Sequence, residues 1–163
     1  MKTLLVMRHA KSSWKDAALA DEQRPLNKRG RQDAPRMGRL LRETDLVPQA
    51  ILSSTAERAR QTALAVADTS GFEGEIQFED SLYGAPAETY LALLLGVADD
   101  RQIVMVVGHN PGVEELVDEL AGETEHLPTG AIAHIELAID RWADLNPETE
   151  ARLATLWRPG EHD

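Results

Sequence analysis

Two short apolar runs, each ended abruptly by polar residues, constrain the fold of this chain more than any other feature of its sequence. The first run covers residues 3–7 and stops at Arg8 and His9, and the second covers residues 102–107 and stops shortly before His109. Continuous apolar runs of this length are typical of strands that are buried on both faces of a sheet. Each run therefore predicts a buried strand with polar side chains beyond its carboxyl end.

The rest of the chain alternates between helix and strand signals. Further strands are predicted at residues 49–53, 131–139 and 152–156, and helices at residues 27–43, 56–68, 87–97 and 111–120. This alternation predicts a three-layer α/β/α sandwich with a mainly parallel central sheet, whose ligand crevice lies beyond the carboxyl ends of the strands. A length of 163 residues and a hydrophobic content of 42% predict a single domain over residues 1–163.

The charge and the missing residue types exclude several classes of function. The formal net charge is −11, so the surface should repel nucleic acid and anionic membranes, and any anion-binding site must be locally cationic. The chain has no cysteine, which excludes disulfides, thiolate metal sites and cysteine nucleophiles. Its apolar runs are too short for a signal peptide or a membrane span, so a cytoplasmic protein is expected.

Arg8 and His9 follow one predicted strand directly, and His109 follows another. If those strands are neighbours, two imidazoles and a guanidinium from distant parts of the chain converge on one crevice. Taken alone, each residue is weak evidence, because an isolated histidine is more often a structural residue than a catalyst and an isolated arginine usually lies on a solvated surface.

Ordered sequence blocks strengthen this interpretation. Residues 5–14, with Arg8-His9-Ala10 at their centre, resemble the Arg-His-Gly signature of the histidine phosphatase (phosphoglycerate mutase-like) superfamily. Four further blocks follow in the order of that superfamily: Pro25-Leu26-Asn27-Lys28-Arg29-Gly30, Ser53-Ser54 to Arg58-Ala59-Arg60-Gln61-Thr62, Leu82-Tyr83-Gly84-Ala85 and Val107-Gly108-His109-Asn110-Pro111. Ala10, the small size and the last block most resemble the SixA-like phosphohistidine phosphatases.

The resemblance implies four central residues, which are Arg8, His9, Arg58 and His109; Arg60 occupies a different position of the Arg-Ala-x-Gln-Thr block and is expected at the surface. A neutral His9 imidazole can act as the nucleophile, with its second nitrogen held by a backbone carbonyl. Arg8 and Arg58 can each offer two parallel hydrogen bonds to phosphate, and a protonated His109 can add a charge-assisted donor. No metal ion or cofactor is needed for this arrangement.

The proton donor to the leaving group is an open question. Asp80 stands three residues before Tyr83, close to where mutase-type relatives carry a catalytic Glu, and Glu79 is the next candidate. The alternative is that Asp80 is only a loop carboxylate, because SixA-like phosphatases do not rely on the usual Glu. The resemblance also implies a phosphate contact for Ser12, whereas Lys15 replaces an Asn of the mutases and speaks against mutase-like substrate binding.

These observations predict hydrolysis of a phosphate, from phosphohistidine in a protein or from a small phosphorylated substrate, through a phosphohistidine intermediate at His9. About twenty residues separate Tyr83 from the strand at residues 102–107, which leaves room for one helix and predicts an open site that suits a protein substrate. The alternatives are a general phosphomonoesterase, a mutase and a phosphate-binding module without catalysis. The sequence near His9 and His109 lacks the histidine spacing of a metal site.

Overall fold

The computed structural model describes residues 1–160, so the last three residues of the predicted single domain, 161–163, lie outside the described residues. The strands are β1 (Lys2–Arg8), β2 (Ala50–Ser54), β3 (Gln77–Glu79), β4 (Ile103–Gly108), β5 (Ile132–Leu137) and β6 (Ala151–Trp157). The helices are α1 (Lys28–Glu43), α2 (Glu57–Ser70), α3 (Ala87–Leu94) and α4 (Gly112–Ala121). Single 3₁₀ turns lie at Asp21–Gln23, Asp80–Leu82 and Trp142–Asp144.

The strands form one six-stranded sheet in the order β3-β2-β4-β1-β5-β6. The pairs β3–β2, β2–β4 and β4–β1 are parallel, whereas β1–β5 and β5–β6 are antiparallel. The two strands that precede His9 and His109 are therefore direct neighbours near the middle of the sheet. The prediction of a mainly parallel sheet is confirmed, and the antiparallel pairs come from the predicted C-terminal strands.

Helices cover both faces of the sheet. Leu4 and Val6 of β1 point into one core together with α3 and α4, and the alternate residues Leu5 and Met7 point into a second core with α1 and α2. Because successive side chains of a strand point to opposite faces, a strand buried on both faces needs the continuous apolar run that the sequence shows. The layers are thus those of the predicted α/β/α sandwich.

Polar caps and glycines fix the ends of the helices. Asn27 caps α1 as predicted, because its side-chain oxygen accepts a 2.9 Å hydrogen bond from the Gly30 amide. Gly71 ends α2 with a φ of 83°, in the left-handed region that glycine adopts without strain. Helix α1 runs through Pro35 without a break. Within residues 1–160, no helix combines the length and the apolar character needed to cross a bilayer.

Candidate active site

The register between β1 and β4 brings the two predicted histidines together. Arg8 of β1 lies opposite Gly108 of β4, so His9 and His109 leave the sheet at the same level. The centroids of their rings are 5.1 Å apart. The inference from the two apolar runs required β1 and β4 to be neighbours. They are neighbours in the sheet, so the inference holds.

Arg58 completes the cluster from the first turn of α2. Its side chain is buried and reaches the cavity that the two histidines line, which has a volume of about 360 Å³. Arg8 also lines this cavity, so all four central residues implied by the resemblance meet at one place. The residues that line the cavity are Arg8, His9, Lys11, Ser12, Trp14, Arg24, Arg58, His109, Asn110 and Thr129.

His9 is held as a neutral base with one nitrogen directed at the cavity. Its Nδ1 donates a 2.7 Å hydrogen bond to the carbonyl oxygen of Ala10, which is the backbone partner expected from the sequence. This bond places the proton on Nδ1 and leaves the lone pair on Nε2. Burial, together with the neighbouring charges of Arg58 and Arg8, lowers the pKa of His9 to about 3, so the imidazole is unprotonated at neutral pH.

His109 is also neutral, which corrects the expectation of a protonated donor. Burial, followed by the neighbouring charge of Arg58, lowers the pKa of His109 to about 4. The Nε2 atom lies 2.8 Å from the Oγ of Ser54, and this oxygen already accepts a hydrogen bond from the Ala56 amide at 3.2 Å. We assign the Ser54 hydroxyl as the donor to Nε2, and with this assignment Nδ1 carries the ring proton and His109 is a hydrogen-bond donor without a charge.

Three buried donors around the cavity have no hydrogen-bond partner among the described residues: Nε of Arg8, Nε of Arg58 and Nδ1 of His109. A buried polar group without a partner costs about 1–3 kcal/mol, so an acceptor that pairs with these groups is favoured. Two of the donors are cationic, and an acceptor with several lone pairs would satisfy them together. A tetrahedral oxyanion fits this requirement.

Asp21 is a site residue that the sequence analysis missed. Its carboxylate accepts a 3.0 Å hydrogen bond from Nη2 of Arg58 and a further one from the hydroxyl of Tyr83, while its backbone oxygen accepts a 2.7 Å bond from Nη1 of Arg58. The Tyr83 hydrogen bond, followed by those of Arg58 and Arg24, lowers the pKa of Asp21 to about 2. Asp21 is therefore ionised and orients Arg58, and it is no source of protons at neutral pH.

The structure places Ser12, but not Asp80, at the cavity. Ser12 lines the cavity, but its hydroxyl oxygen accepts a 2.7 Å hydrogen bond from Arg24, a buried cation that the sequence analysis did not single out. Asp80 has an exposed side chain and is not among the described residues that line the cavity. Its position does not support the role of proton donor to a bound leaving group. Arg60 is exposed and pairs with Glu57, as expected of a surface residue.

A family model for the histidine phosphatase superfamily (branch 1) matches residues 4–83, the part of the chain that supplies Arg8, His9 and Arg58. A structure of the SixA protein of Agrobacterium tumefaciens, assigned as a phosphohistidine phosphatase, is 31% identical and superposes with a TM-score of 0.82 over 97% of this chain and 98% of that chain. The chain belongs to the histidine phosphatase superfamily. It is a phosphatase of the SixA-like subgroup.

Two further structures agree with this assignment. The SixA protein of Nakamurella multipartitia, also assigned as a phosphohistidine phosphatase, is 30% identical with a TM-score of 0.87 over 98% of this chain and 96% of that chain. A protein histidine phosphatase SixA complexed with tungstate has the same fold, with 24% identity and a TM-score of 0.82 over 96% of this chain and 97% of that chain. The SixA-like fold thus extends over nearly the whole chain.

No three side chains of His, Asp or Glu within residues 1–160 lie close enough together to bind a metal ion. The charged groups that surround His9 are instead arginines.

Proposed function

We propose that this chain removes the phosphoryl group from phosphohistidine in a protein, without a metal ion and through a covalent phosphohistidine at His9. The observation that carries the proposal is the convergence of Arg8, Arg58 and His109 on the cavity that His9 lines, with Nδ1 of His9 bonded to Ala10 so that Nε2 keeps its lone pair. Such a set stabilises the charge that spreads over the three equatorial oxygens of a phosphoryl group in its transition state. Preorganised donors of this kind need no metal ion beside them.

The first step exchanges one phosphorus–nitrogen bond for another. The lone pair on Nε2 of His9 attacks the phosphorus, and the bond between phosphorus and the substrate imidazole breaks with its electron pair going to the substrate ring. A substrate imidazole that is protonated on its second nitrogen leaves as a neutral ring, so it needs no acid from the enzyme. This explains how the site can act without a proton donor at Asp80.

The second step returns His9 to its starting state. A water molecule attacks the phosphorus of the His9 adduct, the bond to Nε2 breaks, and inorganic phosphate leaves with the proton of that water transferred to solvent or to phosphate. Arg8 and Arg58 hold the oxygens in both steps, and the hydrogen bond from His9 to Ala10 keeps the same nitrogen available throughout. The two steps together consume one water molecule for each phosphoryl group removed.

A protein substrate is supported by the open mouth of the pocket. Helix α3 is the one helix between Tyr83 and β4, as the sequence predicts, so no additional helix covers the cavity in this part of the described chain. The exposed side chains of Trp14 and Tyr83 stand beside the cluster. A phosphorylated side chain that protrudes from a protein surface can therefore reach His9.

The proposal is tested by phosphate release in the presence of EDTA. Purified protein is incubated with a phosphohistidine-bearing protein and, separately, with p-nitrophenyl phosphate. We expect the wild type to release phosphate from phosphohistidine with the higher kcat/KM, and His9→Ala to release none. Acid-labile phosphate trapped on the wild type but absent from His9→Ala would identify the covalent intermediate.

Arg58→Ala and Arg60→Ala form a matched pair for the arginine role. Arg58→Ala should lower kcat by about a hundredfold to a thousandfold, which is typical for the loss of one preorganised donor to transition-state charge. The exposed Arg60 does not line the cavity, so Arg60→Ala should keep the wild-type rate. A preference for p-nitrophenyl phosphate would support a general phosphomonoesterase, and binding without turnover would support a non-catalytic module.

A further inference from the structure

Two cations line the active-site cavity in addition to the arginines that face the phosphoryl position. Lys11 and Arg24 both contribute to the cavity wall, and neither belongs to the four residues that the superfamily resemblance implies. A phosphoryl group is already matched by Arg8, Arg58 and the imidazole donor of His109. Lys11 and Arg24 therefore offer more positive charge than one phosphoryl group needs.

Arg24 is fixed in place as part of a built site. It is only 8% exposed, and its Nη1 donates to the Ser12 hydroxyl at 2.7 Å and to the Ser13 carbonyl at 3.2 Å. Its Nε donates to the carboxylate of Asp21 at 3.1 Å, while Nη2 makes no hydrogen bond among the described residues. The Nε and Nη1 atoms of the planar guanidinium are thus anchored, and the N–H donors of Nη2 are left unused.

Trp14 covers one face of this guanidinium. The carbon at the centre of the Arg24 guanidinium lies 3.5 Å from the centre of the Trp14 ring, although Trp14 itself is 76% exposed. An aromatic ring over a cation stabilises it and shields it from water on that side. Trp14 lines the cavity together with Arg24, so the stacked pair forms part of the surface that a ligand in the cavity meets.

The backbone of Lys11 is held equally firmly. Its carbonyl oxygen accepts a 2.9 Å hydrogen bond from the Asn27 amide, and the next turn of α1 packs so closely that a Cβ at Gly30 would lie 2.2 Å from that oxygen. Glycine at position 30 is thus required for this approach. The Lys11 side chain is exposed, lines the cavity and makes no ion pair or hydrogen bond within residues 1–160.

We propose that Lys11 and Arg24 form a second anion subsite, the rim subsite, which binds an acidic side chain next to the phosphorylated residue of the substrate. The inference rests on the proposed function, since it specifies which phosphoproteins that site prefers. The whole chain carries a net charge of −11 and repels acidic partners at a distance. A local cationic rim reverses this repulsion at contact, within the roughly 10 Å over which charges act in physiological salt.

The test measures binding, so that it does not depend on turnover. Two peptides carry phosphoryltriazolylalanine, a phosphohistidine analogue that is not hydrolysed; the analogue is flanked by two aspartates in one peptide and by two asparagines in the other. We expect the wild type to bind the aspartate peptide more tightly. In Lys11→Met, the ratio of the two Kd values should fall by about threefold to fivefold, the range of one partly solvated ion pair.

Lys15→Met is the matched control, because Lys15 is an exposed lysine of the same segment that does not line the cavity. It should retain the wild-type ratio. Arg24→Lys keeps a charge but loses the planar fork, so it should lower the ratio while leaving the protein folded. Added salt should reduce the preference for the aspartate peptide in the wild type.

Equal affinities of the wild type for the two peptides would overturn the rim subsite, as would a preference that survives in Lys11→Met. If only the proposed function fails, phosphohistidine is not hydrolysed. The ratio of the two peptide Kd values then still shows whether the rim subsite exists. A wild type that binds neither peptide contradicts both proposals.

Discussion

At the scale of single residues, the site keeps two imidazoles neutral by burying them among cations. Burial lowers the pKa of His9 to about 3 and that of His109 to about 4, and the neighbouring arginines act in the same direction. A nucleophile requires this state, since a protonated imidazole has no lone pair to offer. The same burial makes the folded protein sensitive to acid, because each histidine gains a proton when the chain unfolds.

The pH dependence of stability follows from the depressed pKa of His9. Between the folded value of about 3 and the ordinary value near 6.5, the unfolded chain binds a proton that the folded chain does not. The free energy of unfolding should therefore fall as the pH is lowered from 7 to 5, by about 1–2 kcal/mol from His9 alone. Urea denaturation at both pH values should show a smaller fall for His9→Asn, and equal falls would contradict this origin.

Sequence reasoning identified the four central residues because each stands in a local motif. Arg8 and His9 end an apolar run, His109 follows another, and Arg58 sits in a recognisable block. The partners of these residues escaped detection because they come from elsewhere in the chain. Asp21 lies 37 positions from Arg58, and Ser54 lies 55 positions from His109, so neither contact follows from spacing. Similarly, a carboxylate close to Tyr83 was expected at Asp80, whereas the fold supplies it from Asp21.

At the scale of elements, α4 braces the active site through the loop that follows it. Glu114, in the first turn of α4, accepts hydrogen bonds from the Leu127 amide at 2.7 Å and from the side chain of Asn110 at 2.9 Å. The Leu127 carbonyl in turn accepts a 3.1 Å bond from Nη1 of Arg8. Glu114 is thus connected to Arg8 through a single residue, Leu127, and its charge also raises the pKa of Arg8 against the effect of burial.

Glu114 is expected to act as a positioning residue for Arg8. Glu114→Gln removes the charge and exchanges one acceptor for an amide, so kcat/KM should fall by about tenfold, in line with the loss of a charged hydrogen bond. The affinity for tungstate, measured by calorimetry, should fall in parallel, which a loss of stability alone would not cause. Glu115→Gln, at an exposed neighbouring position, should leave both values unchanged. Unchanged tungstate binding in Glu114→Gln would refute the role.

The elements themselves were largely predictable, whereas their arrangement was only partly so. Apolar runs located β1 and β4, and the predicted ranges 27–43 and 87–97 begin within one residue of α1 and α3. The sheet order was not accessible, because strand order depends on how distant runs pair and on crossovers that leave no local signal. Helix α3 ends at Leu94, three residues before the predicted end at residue 97.

At the scale of the whole molecule, an acidic chain encloses a cationic cavity. The net charge is −11, yet four cationic side chains line one cavity of about 360 Å³. Asp21 and Glu114 supply the neighbouring negative charges. An oxyanion bound in the cavity should compensate the cationic side chains further.

Tungstate should therefore stabilise the folded protein. At a concentration about one hundred times its Kd, a ligand that binds only the folded state adds about 2.7 kcal/mol to the free energy of unfolding. For a chain of this size, Tm should rise by about 5–10 °C in a thermal scan. Arg58→Ala should lose most of this shift and Arg60→Ala should keep it. An equal rise of Tm in both variants would show that tungstate binds outside the cavity that Arg58 lines.

The register between β1 and β4 has a consequence for how chains of this kind can diverge. Arg8 lies opposite Gly108, and both histidines depend on that alignment. Inserting or deleting one residue within either strand would move an imidazole by about 3.3 Å along the sheet and turn the apolar side chains beyond it to the opposite face. Changes of length can therefore accumulate in the exposed loops, for example at residues 122–126, but the stretches 2–9 and 103–109 must keep their lengths relative to each other.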